Sequence, residues 1–344
     1  MTANALLKAG VLAFALLGLF VIGWESYLRA AGVPLSYDDD PGAWANERRR
    51  IYQSTPAGPV VIGSSRIKYD LDLATWARLS GQRPVQLALT GTSPRPILTD
   101  LGNDPNFRGT LLVGVTEFLF FAPSAPGSPP ERKAHERLKA YPKWSLAQQA
   151  SFHLSQLLES RLLLLDEEHL TLDALLKHLP LPPRPGAFVF PLFAPDFSYD
   201  GPDRQSFMGP AFVASPAQHA QMQAAWLKLG AADAKPGAGG DTLRGILQSV
   251  KHSVDQIRSR GGRVVFVRCP STGQFRASEN RRFPRARYWN QLLAYTRTPG
   301  IYYADYPALA HYQCPEWSHL TPADAVTFTR DLLPIVQEKL STSN

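Results

Sequence analysis

Val60-Val61-Ile62-Gly63-Ser64-Ser65-Arg66 is the stretch whose reading decides the fold. Three β-branched apolar residues run into a glycine and two serines, so a buried strand ends abruptly with a hydroxyl at its carboxyl end. In an open α/β sheet that edge is where ligands bind. Gly63 allows the tight backbone path, and a serine opening the next helix has main-chain N–H groups beside it that suit an oxyanion. Taken alone, Gly-Ser-Ser is more often an ordinary turn. The far end of the chain adds the weight: Pro315-Glu316-Trp317-Ser318-His319-Leu320 sets a carboxylate three residues before a histidine.

Outward from that stretch, the pattern alternates. Pro59 to Ile62 predicts a first strand, residues 70 to 80 a helix closed by Gly81, Val85 to Leu89 a second strand, and Pro96 to Leu101 a helix. Thr110 to Glu117 predicts a third strand. Thr242 to Arg260 carries apolar residues at helical spacing and ends at Gly261-Gly262; Val264 to Val267 and Ile301 to Ala304 read as strands, with helices over Tyr288 to Thr296 and Pro322 to Leu340. Strand–helix alternation predicts an α/β fold with a parallel sheet and right-handed crossovers. The α/β domain is expected over 59–122 and 241–344. Residues 123–240 interrupt it with proline-rich irregular sequence and helices over Ser145 to Glu168, Asp173 to His178 and Pro216 to Leu229. Pro180 to Asp203 has no assignable pattern. The interruption is either a lid over the site or a structural elaboration.

The chain has 344 residues, 44% of them hydrophobic and 10% aromatic, which suits a packed core and excludes a disordered protein. The net charge of +7 suits an anionic partner. Arg48-Arg49-Arg50 and Arg281-Arg282 are too short to form a nucleic-acid stripe, so nucleic acid is not expected. Residues 5 to 23 are apolar except for Lys8, long enough to cross a bilayer, with Trp24 and Tyr27 where an interfacial aromatic belt falls. Residues 1–24 therefore predict an uncleaved anchor rather than a cleaved signal peptide, because the small residues near Ala30 lie far past the apolar run. Lys8 and the amino terminus put the short tail in the cytoplasm and the rest across the membrane. Residues 25–58 read as a polar connector with a short helix from Trp44 to Tyr52. Cys269 and Cys314 fit one disulfide of an exported domain, with two unpaired thiols as the alternative. No spacing of Cys and His suits zinc, and no cofactor is expected.

A serine hydroxyl is a poor nucleophile without a base within hydrogen-bond reach and donors for the charge that forms on the attacked carbonyl. His319 is the base candidate and Glu316 the group that orients it. Each residue also has a plainer reading: a strand-closing glycine for Gly91, a cap or core histidine for His319, an ion-paired side chain for Arg66.

Together the blocks resemble the SGNH (GDSL-type) hydrolase superfamily. Gly63-Ser64-Ser65-Arg66 follows the first strand, Gly91 the second, Gly114-Val115-Thr116-Glu117 the third, and Glu316-Trp317-Ser318-His319 lies near the end. The resemblance covers residues 59 to 122 and 263 to 340. It implies a flavodoxin-like three-layer α/β/α sandwich with Ser65 as nucleophile, His319 as base and Glu316 as its orienter. It also implies an oxyanion hole from the Ser65 and Gly91 N–H groups and Thr116. Arg66, Glu117 and Trp317, beside these blocks, are the candidate substrate-binding residues. Ser64 and Glu316 stand where the family usually has Asp, and Thr116 where it has the Asn that donates to the oxyanion. Losing such a donor costs about 3–4 kcal/mol of transition-state stabilisation in other enzymes. Anchored members with a Gly-Ser-Ser block resemble periplasmic O-acyltransferases that act on a polysaccharide or envelope glycan beside a multispanning acyl-export protein. The expectation is thus an extracytoplasmic O-acetyltransferase, with an O-acetylesterase or a non-catalytic glycan-binding scaffold as the alternatives.

Overall fold

The computed structural model describes residues 3–53, 58–123, 127–177, 193–232 and 237–342. Its centre is a five-stranded, wholly parallel sheet: β1 (Val60–Ile62), β2 (Val85–Gln86), β3 (Thr110–Gly114), β4 (Arg263–Arg268) and β5 (Gly300–Tyr302), in the order β2-β1-β3-β4-β5. The register pairs Val60 with Leu111 and Leu112 with Val265, so the continuous apolar runs lie in the middle of the sheet, covered on both faces. The helices 65–70, 73–80 and 322–341 pack together, and the helix 240–259 packs with 95–103 and 289–296. This arrangement is α/β and fits a three-layer sandwich. Connections leave β1 toward β2 and then return past it to β3, so the switch point of the sheet lies between the carboxyl ends of β1 and β3.

Two glycines let the site form there. A Cβ on Gly63 would come 2.4 Å from Ile67 Cγ2 and 3.2 Å from Gly114 Cα, and one on Gly114 would come 2.6 Å from the same Ile67 methyl. Side chains at either position would push the helix Ser65–Asp70 away from the strand ends.

Several predicted elements shift. β3 stops at Gly114, and Glu117, expected to end that strand, opens a helical turn Glu117–Phe120. β2 is only two residues long, although Leu87 and Leu89 N–H groups continue the ladder to the Val61 and Gly63 carbonyls at 2.8 and 3.1 Å. The helix expected over 70–80 forms as Leu73–Ser80, capped by Gly81 at a φ of 70°, and a separate helix Ser65–Asp70 precedes it. The helix Gly273–Arg282 was not expected, because its apolar residues have no helical period.

The apolar amino-terminal helix runs Ala3–Ala30, past the expected boundary at 24. It is long and apolar enough to cross a membrane, and none of its apolar window is buried. Its far end is attached to the interruption: the Glu25 carboxylate accepts the Leu163 and Leu164 N–H groups at 3.2 Å, and Arg29 donates to the Arg161 carbonyl at 2.6 Å.

Residues 123–240 form helices at Pro129–Ala140, Leu146–Glu159, Pro216–Ala232 and several short turns, with a small antiparallel ladder pairing Tyr199 with Phe207. The helix predicted from Ser145 to Glu168 breaks after Glu159. Most of the unassigned stretch from Pro180 to Asp203 lies outside the described residues. A buried charge cluster joins this region to the sheet. Lys68 Nζ donates to Asp39 and Asp200, each at 2.8 Å, while Arg204 donates to Asp39 at 2.6 Å, to the Gln86 carbonyl that ends β2 and to the Ala88 carbonyl beyond it. Burial alone would raise Asp39, but the Arg204 and Lys68 charges hold its carboxyl far below the usual range.

Candidate active site

Ser65 is the first residue of its helix and the one position between Pro59 and Leu71 that is not buried. Ser64 is buried and turned away: its Oγ lies 2.6 Å from Thr116 Oγ1, bridging the ends of β1 and β3. Of the two serines, only Ser65 offers its hydroxyl toward solvent.

That hydroxyl lies 2.9 Å from His319 Nε2, although the residues are 254 positions apart. His319 Nδ1 lies 3.0 Å from Glu316 Oε1. Glu316 is fully buried, and the same oxygen accepts the backbone N–H groups of Ser318 at 3.2 Å and His319 at 2.5 Å. Its second oxygen accepts the indole N–H of Trp226. A carboxylate that accepts these donors also accepts a hydrogen bond from Nδ1–H, which leaves the Nε2 lone pair facing Ser65.

The loop that carries Glu316 and His319 is held on several sides. The Trp317 carbonyl accepts the Thr272 N–H at 2.9 Å, Thr272 Oγ1 donates to the Cys314 carbonyl at 3.0 Å, and Arg66 Nε donates to the Ser318 carbonyl at 3.2 Å. Trp317 itself takes a φ of 79°. A non-glycine residue there costs of order 1–3 kcal/mol and persists where its surroundings determine it.

The faces of His319 are aromatic. Ring centroids of Tyr69, Phe197 and Trp226 lie 4.5, 5.7 and 6.1 Å from the imidazole. Phe197 and Trp226 come from the interruption, where they join Ala194, Met208, Phe212 and Met222 in a small core of its own that includes Tyr69. The interruption therefore roofs the histidine. Asp70, fully buried, accepts the Leu320 N–H at 2.9 Å. Burial pushes its carboxyl well above the ordinary range, against the lowering pull of that N–H and of Arg66.

Two substrate-binding candidates are placed elsewhere than expected. Arg66 and Glu117 are buried in a four-membered ion network. Arg66 donates to Glu279 at 2.9 Å, Arg268 donates to Glu117 at 2.9 Å and to Glu279 at 2.5 Å, and Arg66 lies 4.0 Å from Glu117. Burial would raise Glu279, but Arg268 and Arg66 hold it below its ordinary value. Two positive and two negative charges compensate one another here, so Arg66 and Glu117 stiffen the floor of the site and face no open space. Trp317 is half-buried and lines a cavity. Gly91 is exposed just beyond β2, with a φ of 66° that favours glycine.

The disulfide expectation is corrected: Cys269 and Cys314 are free thiols. Their loops do meet, through Thr272, but each sulfur is packed in the main apolar core, and burial raises both thiols well above the usual range. Among the described residues, no group of three or more His, Cys, Asp or Glu side chains is placed to hold a metal ion.

Trp226, Tyr69, Phe197, Asp70 and Glu279 were not anticipated as neighbours of the site. Trp226 lies 90 residues before its partner, in a helix whose pattern carries no chemical signal. Comparison of the sequence with protein-family models and with curated proteins finds no match.

Proposed function

We infer that this chain is a membrane-anchored SGNH-type serine enzyme that transfers an acyl group, most simply acetyl, to a hydroxyl of an extracytoplasmic polysaccharide or envelope glycan. The observation that carries the reading is the line Ser65 Oγ–His319 Nε2 at 2.9 Å and His319 Nδ1–Glu316 Oε1 at 3.0 Å, with Ser65 accessible at the switch point of a parallel sheet.

In this mechanism Ser65 Oγ attacks the carbonyl carbon of the donor while its proton passes to His319 Nε2. Glu316 stabilises the imidazolium that results. The oxyanion meets the Ser65 and Gly91 N–H groups and the Thr116 hydroxyl. If Ser64 donates the hydrogen bond between their hydroxyls, the Thr116 proton is free for the oxyanion. The tetrahedral intermediate collapses, the donor's leaving group takes the proton from His319, and an acyl-Ser65 ester remains. A sugar hydroxyl then gives its proton to His319 and attacks that ester, and Ser65 recovers its proton as the acylated sugar departs.

With water as acceptor the same groups make an esterase. The aromatic roof of Tyr69, Phe197 and Trp226 favours transfer, because it keeps water from the faces of the histidine. A multispanning acyl-export protein suits the role of donor.

Labelling with a fluorophosphonate tests the serine. Modification of Ser65, lost in Ser65→Ala, is expected; a folded protein that takes no label overturns the enzymatic reading and leaves the glycan-binding scaffold. Incubation with an acetyl ester and a glycan acceptor then separates the acceptors: acetylated glycan is expected, and release of free acetate alone overturns transfer.

A further inference from the structure

The helix Leu146–Glu159 has two faces, and the fold uses one of them. Gln149, Phe152, Gln156 and Glu159 recur at spacings of three and four and are half-buried. On that side Gln149 accepts from Arg49 and donates to the Trp144 carbonyl at 3.1 Å, Phe152 meets the Trp144 ring edge to face, and the helix packs on Pro41–Arg50.

The opposite face carries Ala147, Ala150, Leu154, Leu157 and Leu158 at the same spacings, and all five are exposed. The three leucines keep 59, 51 and 45% of their surface open, and no Asp, Glu, Lys or Arg interrupts the stripe. A helix on a water-facing surface turns its polar residues outward. This one turns leucine outward.

The place of the helix says what covers the stripe. Two residues beyond it, the Arg161 carbonyl accepts from Arg29, and the Leu163 and Leu164 N–H groups hold Glu25, all at the outer end of the apolar helix Ala3–Ala30. Trp24 and Tyr27, exposed and stacked at 5.5 Å, mark the level of an interfacial belt at that end. At about 1.5 Å per residue, the helix places Leu154 within about 10 Å of Arg161. Headgroups add about 5–8 Å on each side of a hydrocarbon core, and an interfacial helix sinks its apolar face about 5–10 Å into the boundary with the acyl chains. The bonds at residues 161–164 hold the stripe near this level in every copy of the chain, whatever other protein is present.

We propose that the outward face of Leu146–Glu159 lies in the headgroup layer of the bilayer crossed by Ala3–Ala30, with Leu154, Leu157 and Leu158 against the lipid. The interruption is then a second, peripheral contact with the membrane, and the domain meets the bilayer on two elements. This rests on the anchor in the proposed function and is independent of the chemistry of Ser65.

Four single variants of the full-length protein, Leu154→Cys, Leu157→Cys, Phe14→Cys and Gln256→Cys, test it once labelled with a nitrobenzoxadiazole fluorophore. Each is placed in vesicles of phosphatidylcholine and phosphatidylglycerol, with and without bromine on the acyl chains. The unsubstituted protein, labelled in parallel, gives the background from Cys269 and Cys314, and thermal melting shows the variants folded. Bromine is expected to remove at least half of the fluorescence at positions 154, 157 and 14, and none at 256, which is exposed on the helix 240–259. Quenching at 14 without quenching at 154 and 157 overturns the proposal and leaves the anchor standing. No quenching at 14 removes the anchor and the proposal together. Equal quenching at 154 and 256 overturns it too, as does an unquenched label with cross-linking of two copies through Leu157→Cys, which marks a dimer face.

Discussion

The indole N–H of Trp226 donates to Oε2 of Glu316, the oxygen that His319 does not use. A residue of the interruption thereby fixes the carboxylate that fixes the histidine. Trp226→Phe keeps an aromatic face and removes the donor. Leaving a buried carboxylate oxygen short of a partner costs about 1–3 kcal/mol. Fluorophosphonate labelling is expected to slow by about 10- to 100-fold. An unaltered rate would show that Trp226 serves only to pack the roof.

The hydroxyls of Ser64 and Thr116, 2.6 Å apart, join the ends of β1 and β3. Thr116→Val preserves shape and removes the hydroxyl. Turnover of an acetyl ester is expected to fall by about 10²-fold, in line with loss of one oxyanion donor, with KM unchanged, and Thr116→Ser to restore most of it. A lower melting temperature with full turnover would confine the pair to a structural role.

Asp70 gives a pH signature. Burial raises its carboxyl well above the ordinary range, so the folded protein keeps a proton that the unfolded chain releases above about pH 4. The group's contribution to stability is complete below that value and is lost as pH rises toward the folded value. Asp70→Asn keeps an acceptor for the Leu320 N–H and removes the titration. Its melting temperature relative to the native protein is expected to increase as pH rises above about 4 toward the folded value. A constant difference would show that Asp70 is ionised in the fold.

The cysteines are checked by a thiol reagent without reductant. Neither Cys269 nor Cys314 is expected to react in the folded protein, and two thiols are expected per chain in denaturant. No thiol in denaturant would establish a disulfide.

What could be read from the sequence was local. Val60-Val61-Ile62 announces a buried strand, and Glu316 three residues before His319 places carboxylate and imidazole within one turn of each other. The five sheet strands fall where the apolar runs lie, because a fully buried parallel strand has no polar face to disguise it. Partners from distant segments were hidden. Nothing near Arg66 in the chain marks it as buried, since Glu279 lies 213 residues away. Trp226 was equally silent, because a tryptophan in an irregular region carries no sign of where its N–H will point. The extra helix over Gly273–Arg282 has mixed polarity all round and leaves no period to read.

The attachment of the amino-terminal helix has a further consequence. At about 1.5 Å per residue, its 28 residues span about 40 Å, and about 30 Å of that suffices to cross a hydrocarbon layer. The remaining two turns end in the bonds from Glu25 and Arg29 to residues 161–164, with no slack chain between. With that helix across a bilayer, as proposed above, so short and stiff a stem would hold the domain at a nearly fixed height, and in the proposed role the polymer would have to be brought to it close to the surface.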